Sequence, residues 1–179
     1  IEISATSKHH LNPFDINLRS YEKGDDPVAI KSQFILSMCE AAIGNLEAAE
    51  KSIIDRCIRK IYQKYLDDPN PENIPVFKDL YNALRSVENN LHAQDVADAL
   101  EIFVTGSLSV FNHRTNVDVN NRILCFDIRK LSEHLHKMGI LVIVDYVWNK
   151  ISNSRDKNLS TWFYVDEFHL LLKEEQTAT

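Results

Sequence analysis

Two adjacent carboxylates, Asp166 and Glu167, follow the apolar run WFYV at residues 162–165. The run predicts a buried strand over residues 161–165 that ends at the acidic pair. Ligands of an α/β sheet bind beyond the carboxyl ends of its strands. At that place in P-loop enzymes that hydrolyse nucleoside triphosphates, an Asp holds Mg²⁺ and a neighbouring Glu orients the attacking water. The pair therefore suggests a nucleotide site.

A strand–helix–strand unit is predicted to position this pair. The run RILCFDI at residues 122–128 is compact and mostly apolar, as in a buried strand. A helix is predicted over about residues 129–150, and the polar stretch ISNSRDKNLS connects it to the strand at 161–165. A βαβ unit of this length predicts the α/β fold class.

Helices are predicted between about residues 27 and 104. Pro27 suits the first turn of a helix, and only 4 glycines and 5 prolines interrupt the whole chain. We therefore expect three regions: residues 1–26 begin an α/β core and a linker, residues 27–105 form an all-helical insertion, and residues 106–179 carry the βαβ unit. From residue 48 to residue 66, apolar side chains recur three and four apart, which predicts one buried helix face: Ile53, Ile54, Cys57, Ile58, Ile61, Tyr62, Tyr65 and Leu66.

Composition excludes several classes of protein. The chain is 44% hydrophobic and 26% charged, which is ordinary for a globular protein. Its 20 basic and 26 acidic residues argue against a wide non-specific DNA surface, although a local basic groove stays open. Cys39, Cys57 and Cys125 form no CxxC pair and predict reduced thiols of a cytosolic protein. No apolar run reaches the ~20 residues of a membrane span. Because the chain opens without Met inside a strand-like stretch, we expect it to be a piece of a longer protein.

Plainer interpretations of the acidic pair remain. A strand that ends in acidic residues is common and often merely solvated, and the phosphate-binding pattern GxxxxGK[ST] is absent from the chain. The letters DEFH also spell the DExH box of nucleic-acid helicases, with His169 as its last member. Such helicases keep their P-loop closer to this box than the length of chain before Asp166, and have no helical block between.

Metal and polyanion sites have weak support. His134 and His136 are two residues apart, so on a helix they point about 200° apart and cannot share a metal ion. His169 would need donors from elsewhere in the fold. Basic residues between 51 and 64 are mixed with acidic ones, which favours a solvated helix face over contact with DNA or a partner protein.

The order of segments resembles the conjugative ATPases of type IV secretion, the VirB4 group. These segments are HLNPFDIN at residues 10–17, a helical block, FNHRTNVDVNNRILCFDIRKL at 111–131, LVIVDYVWNKI at 141–151 and TWFYVDEFHLLL at 161–172. The resemblance covers essentially the whole chain. In that family the phosphate-binding loop lies upstream of the NPFD element, and an arginine finger lies downstream, so both would fall outside these 179 residues.

The resemblance implies a RecA-like P-loop ATPase core with a large helical insertion, mostly α overall, that uses ATP and Mg²⁺. Asp166 matches the Walker B residue that holds Mg²⁺ through water, and Glu167 the residue that activates water. It also implies a homo-oligomer, with a hexamer as the expected state. Its candidate partners are secretion components and DNA, and its implied location is cytoplasmic, at the inner face of the membrane. Asn12 and Pro13 match an element taken as structural, and Arg155 is a candidate for a subunit or phosphate contact, or simply a solvated arginine. The alternative is a helical interaction module of the secretion machine without its own catalysis.

Overall fold

Five α-helices make up most of the part of the chain that the structure describes. This structure is a computed structural model, and it describes residues 1–18, 24–118, 121, 123–154 and 161–166. Short 3-10 helices at Pro71–Asn73 and Ser109–Phe111 lie in the connections. The α-helices are α1 (Pro27–Ile43), α2 (Ala48–Asp67), α3 (Phe77–Arg85), α4 (Leu91–Val104) and α5 (Glu133–Ser154).

Local capping groups decide where α1 begins and ends. The Asp26 carboxylate accepts hydrogen bonds from the backbone N–H groups of Val28 and Ala29, at 3.1 and 3.0 Å. Pro27 fills the first helical position, where no N–H is needed. Gly44 ends the helix with a φ of +90°, a conformation that residues other than glycine rarely adopt. Helix α2 can therefore turn back against α1.

Helices α1 to α4 share one apolar core. Helix α2 packs against α1, α3 and α4, and α3 packs against α4. The predicted face of α2 is confirmed at most positions, but Leu66 is 43% exposed because it lies at the edge of that face, in the last helical turn. The buried residues of α2 are Ile53, Ile54, Cys57, Ile58, Tyr62 and Tyr65.

The predicted strand over residues 122–128 is wrong for the residues described there. Ile123 is 85% exposed, and the residues described here form one isolated parallel bridge, between Glu2 and Asp127. Around this bridge, the Ile3 N–H donates to the Asp127 carbonyl at 2.9 Å, and the Asp127 N–H donates to the Ile1 carbonyl at 2.8 Å. The backbone N–H and C=O groups along a buried strand need hydrogen-bond partners. Here the single short partner pairs with too few residues to make one.

The predicted buried strand at residues 161–165 is also wrong. The residues carry no strand hydrogen bonding, and their apolar side chains are exposed, with Trp162 at 77% and Tyr164 at 82%. No neighbouring strand in the described ranges covers them. The mostly helical character of the fold is confirmed, while the sheet of the α/β prediction is not seen among the described residues. In those ranges, no helix is both long enough and apolar enough to cross a bilayer.

Candidate functional site

The predicted Walker B segment is only partly described. Asp166 lies in a turn directly after residues 161–165, and its side chain is exposed. Glu167, His169 and Arg155 lie outside the described residues, so their arrangement around Asp166 stays a prediction. An accessible carboxylate suits Mg²⁺, which takes hard oxygen ligands and is usually bound through one or two carboxylates besides waters and phosphates. The carboxylate of Asp166 is thus chemically suited to Mg²⁺.

The turn at residues 12–15, which contains the NPFD sequence, is held by hydrogen bonds to distant loops. The Asn12 side-chain amide donates to the Pro75 carbonyl at 2.8 Å, and its oxygen accepts from the Phe14 N–H at 3.1 Å. The Asn12 backbone N–H donates to the Thr115 hydroxyl oxygen at 2.7 Å. Asn12 is 5% exposed, so its side-chain amide and backbone N–H depend on these partners. The structural interpretation of Asn12 fits these contacts.

Aromatic side chains of the helical unit surround Phe14. Phe14 is fully buried, and its ring meets Phe77 of α3 edge-on, with centroids 5.3 Å apart. The Tyr62 hydroxyl of α2 donates to the Phe14 carbonyl oxygen at 2.6 Å. An edge-to-face pair adds about 0.5–1.5 kcal/mol beyond its buried area. The turn is therefore part of the core of the helical unit.

A buried ion pair links this turn to α5. The Lys31 ammonium donates to the Asp145 carboxylate at 2.8 Å and to the Pro13 carbonyl at 3.2 Å. Asp145 also accepts from the side-chain amide of Asn149, at 3.0 Å. The Lys31 side chain is 1% exposed, whereas that of Asp145 is 24% exposed. The pair joins α1, α5 and the turn at a single point.

Burial perturbs the pKa values of the groups around this point. It raises the pKa of Asp145, and Lys31 opposes the change without cancelling it. Burial likewise raises the pKa of Asp15, whose carboxylate accepts a hydrogen bond from the Thr115 hydroxyl. The pKa of Lys31 is lowered by burial, against the attraction of Asp145. The Lys31 ammonium therefore contacts the Asp145 carboxylate and attracts the Asp15 carboxylate from a greater distance, in a poorly solvated place.

Sequence reasoning missed Lys31. Its position could have indicated a buried, paired lysine. Lys31 lies on the inward face of α1 with Val28, Ile35 and Met38, where a lysine is rare unless paired. Asp145 stood out as the charge inside the apolar run at residues 138–148, but nothing in the sequence connected the two.

The basic residues of α2 behave as a largely solvated face. Arg59 pairs with Asp26 at 3.0 Å, and Lys51 pairs with Glu40 at 2.6 Å. Lys60 and Lys64 line a groove of about 440 Å³ between α2, α3 and the loop at residues 72–75. Arg114 also lines it, but its guanidinium is engaged by the Pro71, Glu72 and Ile74 carbonyl oxygens, which gives it a structural role: Arg114 ties down this loop.

Histidines offer little to a metal ion in the described ranges. His10 lies against His113 with ring centroids 4.2 Å apart, and its Nδ1 is buried without a hydrogen-bond partner among the residues that the structure describes. Burial, followed by the proximity of His113, lowers the pKa of His10. Among the residues described, no group of three His, Cys, Asp or Glu side chains could hold a metal ion.

Comparison with known proteins identifies a shared fold. No protein-family model matches the sequence, and no curated protein matches it. A solved structure of VirB4 of Thermoanaerobacter pseudethanolicus superposes on it with a TM-score of 0.82 and 20% sequence identity. The match covers 99% of this chain and 70% of the VirB4 chain. Over nearly its whole length, this chain is therefore VirB4-like in fold.

Proposed function

We propose that this chain is part of an ATP-hydrolysing motor that energises conjugative DNA transfer or another form of type IV secretion. The observation that carries the proposal is the shared fold with VirB4 over 99% of the chain. The order of the sequence segments, which resembles that of the conjugative ATPases, supports it as well, because this resemblance depends on the sequence and not on the fold. Fold alone does not fix function, so the proposal also depends on the acidic pair.

In this proposal, Asp166 holds Mg²⁺ through a water molecule, and Glu167 orients the attacking water and takes up its proton. Mg²⁺ bound to ATP would neutralise the charge that develops on the phosphates. The exposed position of Asp166 after an apolar segment supports this role, since the carboxylate is free to meet a ligand. Glu167 follows directly in the sequence and would reach the same ligand from the next position.

The proposal places the phosphate-binding loop and the arginine finger in parts of the protein outside these 179 residues. The working form would be a homo-oligomer, with a hexamer as the expected state, because P-loop motors bind ATP between subunits. Its partners would be secretion components, and DNA is a further candidate. Its place would be cytoplasmic, at the inner face of the membrane.

The test is Glu167→Gln in the complete protein that contains this chain. We expect ATP hydrolysis to fall by about a hundredfold or more while ATP binding persists, because the amide cannot accept the water proton. Glu88→Gln is the matched control, since Glu88 is exposed on the helical unit and should leave turnover unchanged. Retained turnover in Glu167→Gln would remove Glu167 from this role. The chain alone should show no ATP-saturable hydrolysis, since it lacks a phosphate-binding loop.

A second candidate function is a protein-interaction module without catalysis. The observation that favours it is the exposed apolar run at residues 162–165, since such runs commonly mark contact surfaces. Affinity capture with secretion components, combined with ATP titration, separates the two functions. Partner binding together with hydrolysis that survives loss of both carboxylates would favour the module.

A further inference from the structure

A buried lysine bonds two elements that are remote in sequence. The Lys31 ammonium on α1 contacts the Asp145 carboxylate of α5 at 2.8 Å and the Pro13 carbonyl oxygen at 3.2 Å. The ring of Phe34 lies beside it, 4.7 Å from Nζ to the centroid. Because the side chain is 1% exposed, water can replace none of these partners easily.

Such a pair adds little to stability, but it constrains the relative position of the two elements that it joins. Burying two charges costs about as much as their attraction returns, and apolar replacements of buried ion pairs are often neutral or stabilising. A hydrogen bond, however, has a preferred distance and direction. Apolar contacts between α1 and α5 would tolerate sliding, whereas the ammonium fixes Asp145 relative to the turn at residues 12–15.

We infer that Lys31 is a positioning residue, which holds α5 in register with the turn at residues 12–15 and with the helical unit. The inference rests on the proposed function, because α5 precedes the segment that ends in Asp166. Misplacement of a reacting group by about 1 Å can cost about a hundredfold in rate. Lys31 would thus affect turnover without touching the nucleotide.

The experiment compares Lys31→Met with the double variant Lys31→Met/Asp145→Leu in the complete protein. Lys31→Met should lower the melting temperature, because it leaves the Asp145 carboxylate without its cation. The double variant should recover part of the lost melting temperature, because the uncompensated Asp145 charge is gone while the Pro13 carbonyl oxygen still lacks its donor. Its kcat should stay about tenfold or more below wild type. Its affinity for ATP should be unchanged. Lys51→Met is the matched control, since it breaks an exposed pair with Glu40 and should leave kcat and melting temperature near wild type.

Recovery of kcat together with melting temperature in the double variant would overturn the inference, because Lys31 would then be needed only for folding. A second measurement does not depend on the proposed function. Amide hydrogen exchange in α5 around Asp145 should be faster in the double variant of this chain than in wild type. Equal exchange would overturn the inference even if Glu167→Gln abolished hydrolysis. Faster exchange would support it even if the proposed ATPase role of Glu167 failed.

Discussion

The Tyr62 hydroxyl donates to the Phe14 carbonyl oxygen at 2.6 Å, and both residues are fully buried. The carbonyl of the preceding residue, Pro13, accepts from Lys31, so two consecutive carbonyls of one turn are bound by side chains of two different helices. Backbone groups in a buried turn cannot form hydrogen bonds with water, so they need such partners. This explains how an irregular segment can sit inside a helical core.

The first prediction concerns Tyr62→Phe, which removes the hydroxyl and keeps the ring. The Phe14 carbonyl would stay buried without its donor, so the free energy of unfolding should fall by about 1–3 kcal/mol. Urea denaturation followed by circular dichroism measures it. Tyr81→Phe is the control, because the Tyr81 hydroxyl accepts from Arg85 at 3.2 Å in a partly exposed place and should cost less than about 1 kcal/mol. Equal losses in both variants would contradict the assigned role of Tyr62.

Asn12→Asp tests the other side of the turn. The carboxylate could still accept from the Phe14 N–H, but it could no longer donate to the Pro75 carbonyl oxygen. A buried charge would then face an unpaired carbonyl, and the loss of unfolding free energy should reach about 2 kcal/mol or more at pH 7. Asn45→Asp in the exposed α1–α2 connection should be close to neutral in the same urea titration. A stable Asn12→Asp protein would show that this turn does not need its amide donor.

The helices could be read from the sequence and the strands could not, for a physical reason. A helix makes its hydrogen bonds within one segment, so the apolar spacing from Ile53 to Tyr65 was enough to find the buried face of α2. A strand is completed by a partner elsewhere, and the run at residues 161–165 has none in the described ranges. Lys31 was hidden for a related reason, because the pairing that makes a buried lysine acceptable joins it to Asp145, far along the chain.

A third prediction follows from the lowered pKa of His10. Burial and the facing His113 both disfavour its charged form, while its contact with the Val110 carbonyl favours it and His9 adds weak repulsion. The unfolded state then binds more protons than the folded state below the ordinary His pKa of 6.5, so stability should be lost as the pH falls through that value toward the lowered one. Thermal melts at pH 7.5 and about pH 5.5 measure this loss.

His10→Gln isolates this contribution. The raised pKa values of Asp15 and Asp145 act in the opposite sense, making the fold more stable as the pH falls, but they are common to both proteins and cancel in the comparison. The variant should lose less stability on acidification than wild type, by less than about 1 kcal/mol because the ring is partly solvated. His92→Gln, an exposed change on α4, should behave as wild type. The same pH dependence in all three proteins would argue against His10.

The last prediction uses Trp162 to ask what covers the exposed apolar run. Trp162 is 77% exposed and Trp148 is 61% exposed, so Trp148→Phe leaves Trp162 as the single reporter in this chain. In the complete protein, any tryptophan outside these 179 residues is replaced by Phe as well. In this chain alone, acrylamide should quench its fluorescence steeply and the emission should be typical of indole in water. In the complete protein, a partner surface that covers residues 161–165 would bury the ring, so quenching should weaken and the emission should shift to shorter wavelength. Equal quenching in both forms would mean that nothing covers the run in the complete protein, and would contradict its role as a contact surface.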